Sequence, residues 1–344
     1  MDQLHLKVLD IRYETDNAAT FYLADVTGNA IRYEAGQFLT FLFGQASHDL
    51  RRSYSFSSTP DVDKIPTVTL KRIDNGAVSR FFFDHLRKGD ELHALPPSGR
   101  FTVSSGPGFK RQFIFIAAGT GISPVYSLLK KILHEEPLSR ILLIYQNHDE
   151  KHVIFKEQIL NLTRVNPEKL TWINLLSAPL DHSILPARLT NFLLEQLISY
   201  HVDRSRDSLF FLCGPPSFMR MSQFTLRLMG FGMDQIRKES FTVEFIPHPP
   251  LLPDPGPRQI VIHFGDQTFQ FQASYPKTIL EAALDNKIDL PYSCKGGRCS
   301  TCVARCEQGS VLMSINEVLT EKDLKEGLVL TCVGYAKTDL ELRF

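Results

Sequence analysis

Four cysteines, Cys294, Cys299, Cys302 and Cys332, constrain this chain more than any other feature. The run Cys294-Lys-Gly-Gly-Arg-Cys299-Ser-Thr-Cys302 has C-x4-C-x2-C spacing, and the fourth cysteine follows thirty residues later. Two bridged irons need four convergent thiolates. Three from one tight loop and one from a distant strand is the spacing of a plant-type [2Fe–2S] centre. A structural zinc site usually presents two C-x-x-C pairs, and only Cys299/Cys302 forms one here. Gly296 and Gly297 permit left-handed backbone and close approach, and backbone N–H groups of such a loop can point at the sulfurs and tune the potential. Cys306 is left over once Cys332 completes the set.

Five of the six cysteines lie in the last 51 residues, which marks a separate functional unit there. At 344 residues the chain is long enough for two or three domains. Lys+Arg and Asp+Glu are 38 each, so the net charge is zero. That balance argues against nucleic acid as the main partner, because phosphate neutralisation needs a basic excess. The longest apolar runs, such as Phe113-Ile-Phe-Ile-Ala-Ala118, fall far short of the ~20 residues a membrane span needs. No signal peptide is expected from the charged N-terminal stretch, so the expected compartment is the cytoplasm, where thiols stay reduced.

The organisation along the chain changes three times. Residues 1–105 alternate short apolar strands (20–26, 38–43, 67–72) with turns, plus one helix from about 77 to 87, which predicts an antiparallel barrel. Residues 106–246 alternate strands (112–118, 140–146, 170–176, 208–213) with helices (from Pro124, and near 153–162, 189–200 and 215–229). Near-continuous apolar strands separated by helices predict a parallel α/β sheet covered on both faces. Residues 247–257 hold six prolines in eleven positions, a stiff linker reaching up to roughly 34 Å. Residues 258–344 predict two strands (260–264, 268–272), a helix near 278–286, the cysteine loop and further strands, with charges of both signs nearly balanced.

Other motifs suit a dinucleotide and a flat ring. In Arg52-Ser-Tyr-Ser-Phe-Ser-Ser58, Arg52 offers a charged fork to a pyrophosphate, Tyr54 a face for a flavin ring, and Ser55 a polar group near the ring edge. A plain barrel strand accounts for the same spacing. Gly76-Ala-Val-Ser79 opens a helix, whose free N–H groups suit phosphate, though an ordinary cap fits equally. Gly119-Thr120-Gly121 joins the first parallel strand to its helix, where a nucleotide pyrophosphate lies in such sheets, although the third glycine of the dinucleotide fingerprint is missing. Cys213-Gly-Pro-Pro216 follows another parallel strand, with Cys213 facing the same crevice or serving as a small buried hydrophobe.

Together these motifs resemble the ferredoxin–NADP reductase family, with a C-terminal unit similar to plant-type ferredoxins. The order of units is that of oxygenase reductase components. The segments Leu290-Pro-Tyr-Ser-Cys-Lys-Gly-Gly297 and Gly327-Leu-Val-Leu-Thr-Cys332 resemble the reductase subunits of phenylacetyl-CoA epoxidases. The resemblance implies an FAD-binding barrel, an NAD(P)-binding α/β domain and a β-grasp ferredoxin domain. It implies that Arg52 and Ser79, with Gly76, hold the FAD pyrophosphate, that Tyr54 and Ser55 contact the isoalloxazine, and that Gly119, Thr120 and Gly121 line the nucleotide site beside Cys213. Glu239-Ser-Phe241 would place Phe241 on the other flavin face and Glu239 near the hydride path; a core aromatic and a surface acid are the bland alternative. The sequence departs from many NADPH users, which carry an arginine after the second nucleotide strand. Tyr145-Gln-Asn-His148-Asp149 stands there, with Asp149 suited to a free ribose hydroxyl and Lys151 and Arg188 as compensating cations, so NADH and NADPH both stay open.

The expected activity is conversion of electron number: a hydride from NAD(P)H brings two electrons, a [2Fe–2S] centre takes one, and a flavin handles either. The expected partner is an electron-accepting protein, an oxygenase or hydroxylase component. Other acceptors (a hybrid-cluster protein, a desaturase) and a non-catalytic redox sensor are the alternatives. The tether at 247–257 would keep the ferredoxin unit near the flavin.

Overall fold

The computed structural model describes residues 3–43, 50–241, 249–252 and 254–344. These fall into two compact units, Gln3–Ser240 and Phe241–Phe344. Residues 247, 248 and 253 of the expected linker, and the expected boundary at 246, lie outside the described residues.

In the first unit, strands β1 (Leu4–Thr15), β2 (Ala18–Asp25), β3 (Phe38–Phe43), β4 (Leu50–Ser55) and β5 (Thr67–Lys71), helix α1 (Ala77–Asp84) and strand β6 (Glu91–Ser98) form an antiparallel sheet ordered β4-β3-β6-β1-β2-β5. A bridge between Phe56 and Val68 joins the two ends and closes the expected barrel. Phe21, Phe41, Phe56 and Phe82 fill its core. Two of its strands carry no clear sequence signal. In β1, register shifts between Val8 and Asp10 and between Tyr13 and Thr15 break the two-residue alternation that marks a strand. In β6, Pro96-Pro97 disguises the strand.

The chain continues through β7 (Gln112–Ala118), α2 (Ile122–Glu135), β8 (Arg140–Asn147), α3 (Lys156–Val165), β9 (Leu170–Leu176), α4 (Asn191–His201), β10 (Ser208–Cys213), α5 (Pro216–Leu228) and β11 (Ile236–Glu239). The sheet is parallel, ordered β11-β10-β7-β8-β9. Helices α2 and α3 pack on one face around Phe115, Leu129 and Ile159. Helices α4 and α5 pack on the other around Ile116, Leu194 and Leu226. The chain runs outward through β8 and β9, then crosses back to β10, so the direction of winding reverses between β7 and β10. That reversal opens a crevice at the carboxyl ends of these two strands. Helix α2 begins two residues ahead of the expected Pro124, because Gly119–Gly121 forms a 3₁₀ turn that runs straight into it. Helix α3 begins at Lys156 rather than 153, after a left-handed Phe155.

The second unit contains β12 (Arg258–Phe264), β13 (Gln267–Ala273), α6 (Ile279–Asp285), β14 (Val303–Gln308), β15 (Val311–Met313), α7 (Glu321–Lys325), β16 (Leu328–Leu330), β17 (Gly334–Ala336) and β18 (Leu340–Arg343). Its main sheet is ordered β13-β12-β18-β14-β16, with β12 and β18 parallel, and β15 pairs with β17. Helix α6 starts with a capping box, Thr278 and Glu281 each bonding the other's backbone N–H. Its Ile279, Ala282 and Ala283 pack into the core with Ile260, Ile262 and Leu342. Mixed strands with one helix across them match the expected α+β ferredoxin unit.

Candidate functional site

The cysteine loop runs from the end of α6 to β14, and Cys332 lies two residues beyond β16. Two bonds tie these segments together: Thr331 donates its backbone N–H at 3.2 Å and its hydroxyl at 2.9 Å to the carbonyl oxygen of Cys302. Left-handed backbone occurs at Lys295, Gly297 and Ser300, not at Gly296. At Gly297 a Cβ would lie 2.8 Å from Cγ2 of Ile315, so a side chain has no room there. The turn aims donors inward: the N–H of Gly296 points at Sγ of Cys294 (3.3 Å) and that of Cys294 at Sγ of Cys299 (3.5 Å).

The four expected thiols converge. Hydrogen bonds from Cys299 and Cys332, helped by the N–H groups of Gly296 and Arg298, hold Cys294 far below the ordinary thiol range despite burial. Cys299 and Cys332 go the other way, because each shares its proton with a neighbouring sulfur. Four sulfurs competing for protons at this range fit four thiolates facing bridged irons better than four thiols. The buried hydroxyl of Ser300 has no hydrogen-bond partner among the described residues, and Cys302 and Cys332 are buried. A shielded donor set with N–H groups aimed at sulfur fits an iron–sulfur cluster. Cys306 stays apart from the set, its Sγ donating to the carbonyl oxygen of Gln308 at 3.3 Å. No disulfide occurs among the six cysteines.

In the first unit, β4 carries Arg52, Tyr54 and Ser55. Arg52 is exposed and donates from Nη1 to the carbonyl oxygen of Arg51 at 2.8 Å. Tyr54 is half-buried beside Phe41 and Phe82, and burial pushes its hydroxyl up to about 12. Gly76 precedes α1 in extended backbone and no side chain caps that helix. Its first-turn N–H groups suit an anion. The Ser79 hydroxyl accepts from the N–H of Ile73 at 3.1 Å and donates to the carbonyl oxygen of Gly76 at 3.2 Å. It is therefore committed to its own turn.

Ser55, Cys213 and Glu239 come together where the barrel meets the parallel sheet. Cys213 ends β10 and pairs in register with Glu239 on β11 and Ala117 on β7. The Ser55 hydroxyl donates to Oε2 of Glu239 at 3.3 Å. Burial raises Glu239 to about 8, with the Ser55 bond acting against the rise. Burial, then the charge of Glu239, pushes the Cys213 thiol well up. These are features of a dry crevice holding one protonated carboxyl. Glu239 is buried, not a surface acid, whereas Phe241 is exposed (47%) and opens the second unit.

The Gly119-Thr120-Gly121 turn closes against the end of β10. A Cβ on Gly121 would lie 2.1 Å from the carbonyl oxygen of Cys213, so only glycine allows this approach. Gly119 is left-handed (φ 54°), and its carbonyl oxygen accepts from the Tyr145 hydroxyl at 2.9 Å. The turn and the Cys213-Gly-Pro-Pro216 segment thus flank the switch-point crevice.

At the end of β8 the structure modifies an expectation. Asp149 is buried; its Oδ1 accepts from the N–H of Lys151 at 3.0 Å and lies 2.6 Å from Nδ1 of His152. Burial opposes ionisation there, but those bonds outweigh it and hold the carboxyl below its ordinary value. Asp149 orders its own turn, and the exposed groups nearby are His148, Lys151 and Arg188.

Residues not anticipated fix the barrel against α2. Ser123, Ser127 and Lys130 form a polar stripe on the buried face of this helix. Ser123 donates to the carbonyl oxygen of Thr69 (3.1 Å), Ser127 to that of Ser58 (2.5 Å), and Thr59 to that of Ser127 (2.7 Å). Lys130 pairs with Asp63 over the Tyr126 ring. The signal was available in the spacing: residues three and four apart share one helix face.

With this geometry in hand, comparison with known proteins is direct. Residues 262–337 match the 2Fe-2S iron-sulfur cluster binding domain family, and residues 115–223 match the oxidoreductase NAD-binding domain family. The ferredoxin reductase component of 3-ketosteroid-9-alpha-monooxygenase from Mycobacterium tuberculosis is 30% identical over 98% of this chain and 94% of its own length. A 1,2-phenylacetyl-CoA epoxidase subunit from Escherichia coli is 30% identical over 95% of this chain and 93% of its own. The structure of phthalate dioxygenase reductase is similar in fold, with a TM-score of 0.59 and 21% identity over 99% of this chain and 98% of that one. No helix among the described residues is long and apolar enough to cross a membrane. In sequence over nearly its whole length, and in an NAD-binding domain followed by a cluster-binding domain, this chain belongs to the family of ferredoxin reductase components of oxygenase systems.

Proposed function

We propose that this oxidoreductase takes a hydride from NAD(P)H and passes the electrons, through FAD and a [2Fe–2S] cluster, one at a time to a partner oxygenase or hydroxylase component. The observation that carries the proposal is the presence in one chain of four convergent thiols and of a switch-point crevice holding Ser55, Cys213 and Glu239. The relatives named above are the ferredoxin reductase component of a monooxygenase and a subunit of an epoxidase, which supports an oxygen-activating partner.

Each residue has a part in this reading. Gly119, Thr120 and Gly121 receive the pyrophosphate of NAD(P)H on backbone N–H groups at the start of α2. Cys213, small and uncharged, leaves the nicotinamide ring room at the end of β10. The Ser55 hydroxyl donates to Oε2 of Glu239, in a site dry enough for the carboxyl to keep its own proton near pH 7, beside where the reacting rings would lie. Arg52, Gly76 and the backbone at Ser79 would hold the FAD pyrophosphate, Tyr54 would contact the flavin ring, and Phe241 keeps its sequence assignment to the same ring. Cys294, Cys299, Cys302 and Cys332 ligate the cluster, with the N–H of Gly296 stabilising the sulfur charge. Bound FAD supplies the exchange between two-electron and one-electron chemistry. Six unpaired cysteines suit the cytoplasm, which keeps ligand thiols reduced. Domain bounds of 1–105, 106–246 and 258–344, joined by 247–257, belong to the same reading.

The test is anaerobic stopped-flow with reconstituted protein. Flavin bleaching on NAD(P)H addition should be followed by loss of the cluster's visible bands, and then by reduction of a one-electron acceptor. Flavin reduction with a cluster that stays oxidised would refute the pathway.

A further inference from the structure

We propose that Arg298 and Glu317 form a charge pair that sets the reduction potential at the cysteine set without ligating it, the arginine raising the potential and the glutamate holding it down. The proposal rests on the assignment of a [2Fe–2S] cluster to those cysteines. The ligand loop is charged in one direction only: Cys294 to Cys302 holds Lys295 and Arg298 and no acidic residue. Lys295 is exposed, with its Nζ 4.5 Å from the centre of the Tyr292 ring. Arg298 is instead buried, its side chain 8% exposed. A guanidinium keeps its charge at any working pH, and inside a protein that charge is screened far less than in water. Burying it is costly, yet the position directly before the ligand Cys299 is given to it.

Glu317 reaches Arg298 from a separate segment, 314–320, which packs on the cysteine loop. Oε2 of Glu317 lies 3.2 Å from Nε of Arg298, and the N–H of Glu317 donates to the carbonyl oxygen of Gly297 at 3.2 Å. Ile315 fills the space beside Gly297, and the N–H of Ser314 donates to the carbonyl oxygen of Val333 at 3.0 Å. The Asn316 side chain closes the segment on itself, accepting from the N–H of Leu319 at 2.8 Å and donating to its carbonyl oxygen at 2.9 Å. The segment therefore holds the neighbours of Cys299 and of Cys332 at once. Glu317 is one-third exposed, so water screens its charge more than that of Arg298.

One electron delivered from the flavin adds one negative charge inside this loop. The levers on the potential of such a centre are net charge, hydrogen bonds to sulfur and exposure to solvent. The N–H of Gly296 supplies the second, and the Arg298–Glu317 pair supplies the first. A buried positive charge favours the reduced form, and a carboxylate beside it opposes that effect. The arginine is the better shielded of the two, so the balance tips toward reduction and draws the electron from the flavin to the thiolate set.

The experiment is a redox titration of the full-length holoprotein, followed by EPR and visible absorbance, with iron content and g values checking that each variant keeps the wild-type cluster. Arg298→Gln should lower the midpoint potential and Glu317→Gln should raise it. Each shift should be at least threefold in the reduction equilibrium, which is about 28 mV for one electron. Arg298→Lys, which keeps the charge, should stay closer to wild type than Arg298→Gln. The double variant Arg298→Gln/Glu317→Gln should fall between the two single variants, since both charges are gone. A pair acting through charge moves the single variants in opposite directions, whereas a fastener that only holds the fold does not. Unchanged potentials in variants that keep the EPR signal, or shifts of the same sign in both, would overturn the proposal. If Arg298→Gln retains no cluster, Glu317→Gln decides: a raised potential supports the pair and an unchanged or lowered one overturns it. A wild-type holoprotein without the EPR signal would instead overturn the assignment of the cysteine set, on which the proposal stands.

Discussion

The hydroxyl of Ser55 reaches Oε2 of Glu239 across 3.3 Å, joining the last residue of a barrel strand to the last residue of the parallel sheet. Neither residue has this environment without the other's domain. The bond stabilises the ionised form of Glu239 only in part, because burial dominates and lifts the carboxyl to about 8.

That shift predicts a pH dependence of stability. Below the ordinary value of 4.5 the carboxyl is protonated whether the chain is folded or not. Between there and about 8, the unfolded chain ionises and the folded chain does not, so stability falls as pH rises and levels off above 8. Glu239→Gln should remove this slope. Melting temperatures of both proteins from pH 5 to 8.5 check it; parallel curves would be incompatible with a buried neutral carboxyl.

Gly121→Ala should disable the nucleotide crevice. The added methyl meets backbone at 2.1 Å, and neither β10 nor the turn can yield without breaking the parallel register. We expect KM for NAD(P)H to rise at least about tenfold, the equivalent of about 1.4 kcal/mol. Circular dichroism and cluster absorbance should stay near wild type. An unchanged KM would mean that the turn does not contact the nucleotide.

Serine at any one of Cys294, Cys299, Cys302 or Cys332 should abolish or strongly alter the cluster's visible and EPR signals, since the four sulfurs act as one set. Cys306→Ser should leave both signals intact, because that thiol bonds the carbonyl of Gln308 and takes no part in the set. Loss of signal in Cys306→Ser would require a different assignment of ligands.

Lys130→Met should loosen the seam between barrel and α2. The lysine is 9% exposed and pairs with Asp63, itself one-third exposed, over the Tyr126 ring. Removing one partner of a fully buried pair costs about 3–5 kcal/mol and of an exposed pair about 1 kcal/mol or less. An intermediate loss of about 2 kcal/mol in urea denaturation is expected. The double variant Lys130→Met/Asp63→Asn should recover part of it, since no unpaired charge remains.

Much of this architecture was legible because it rests on short-range rules. The parallel strands are continuous apolar runs, the cysteine spacing is local, and each nucleotide-side glycine follows its strand immediately. The unread elements depend on distant partners. Strand β1 hides behind two register shifts that only its pairing with β2 explains. That Oδ1 of Asp149 is bonded by the N–H of Lys151 and faces His152 also depends on the folded turn and has no sequence signal. The sequence could not show that the Ser79 hydroxyl bonds Ile73 and Gly76 in its own turn. The polar stripe of Ser123, Ser127 and Lys130 gains meaning only from the barrel carbonyls and the carboxylate opposite it.

In the C-terminal unit, β12 lies beside β18, and the fourth thiol follows the first three by a long stretch of chain. Such remote pairings form slowly. A nascent molecule therefore presents three sulfurs well before their enclosure exists. Iron delivery and collapse of this unit become a single event, and a cell that runs short of cluster would accumulate unfinished protein rather than a dormant apo-form.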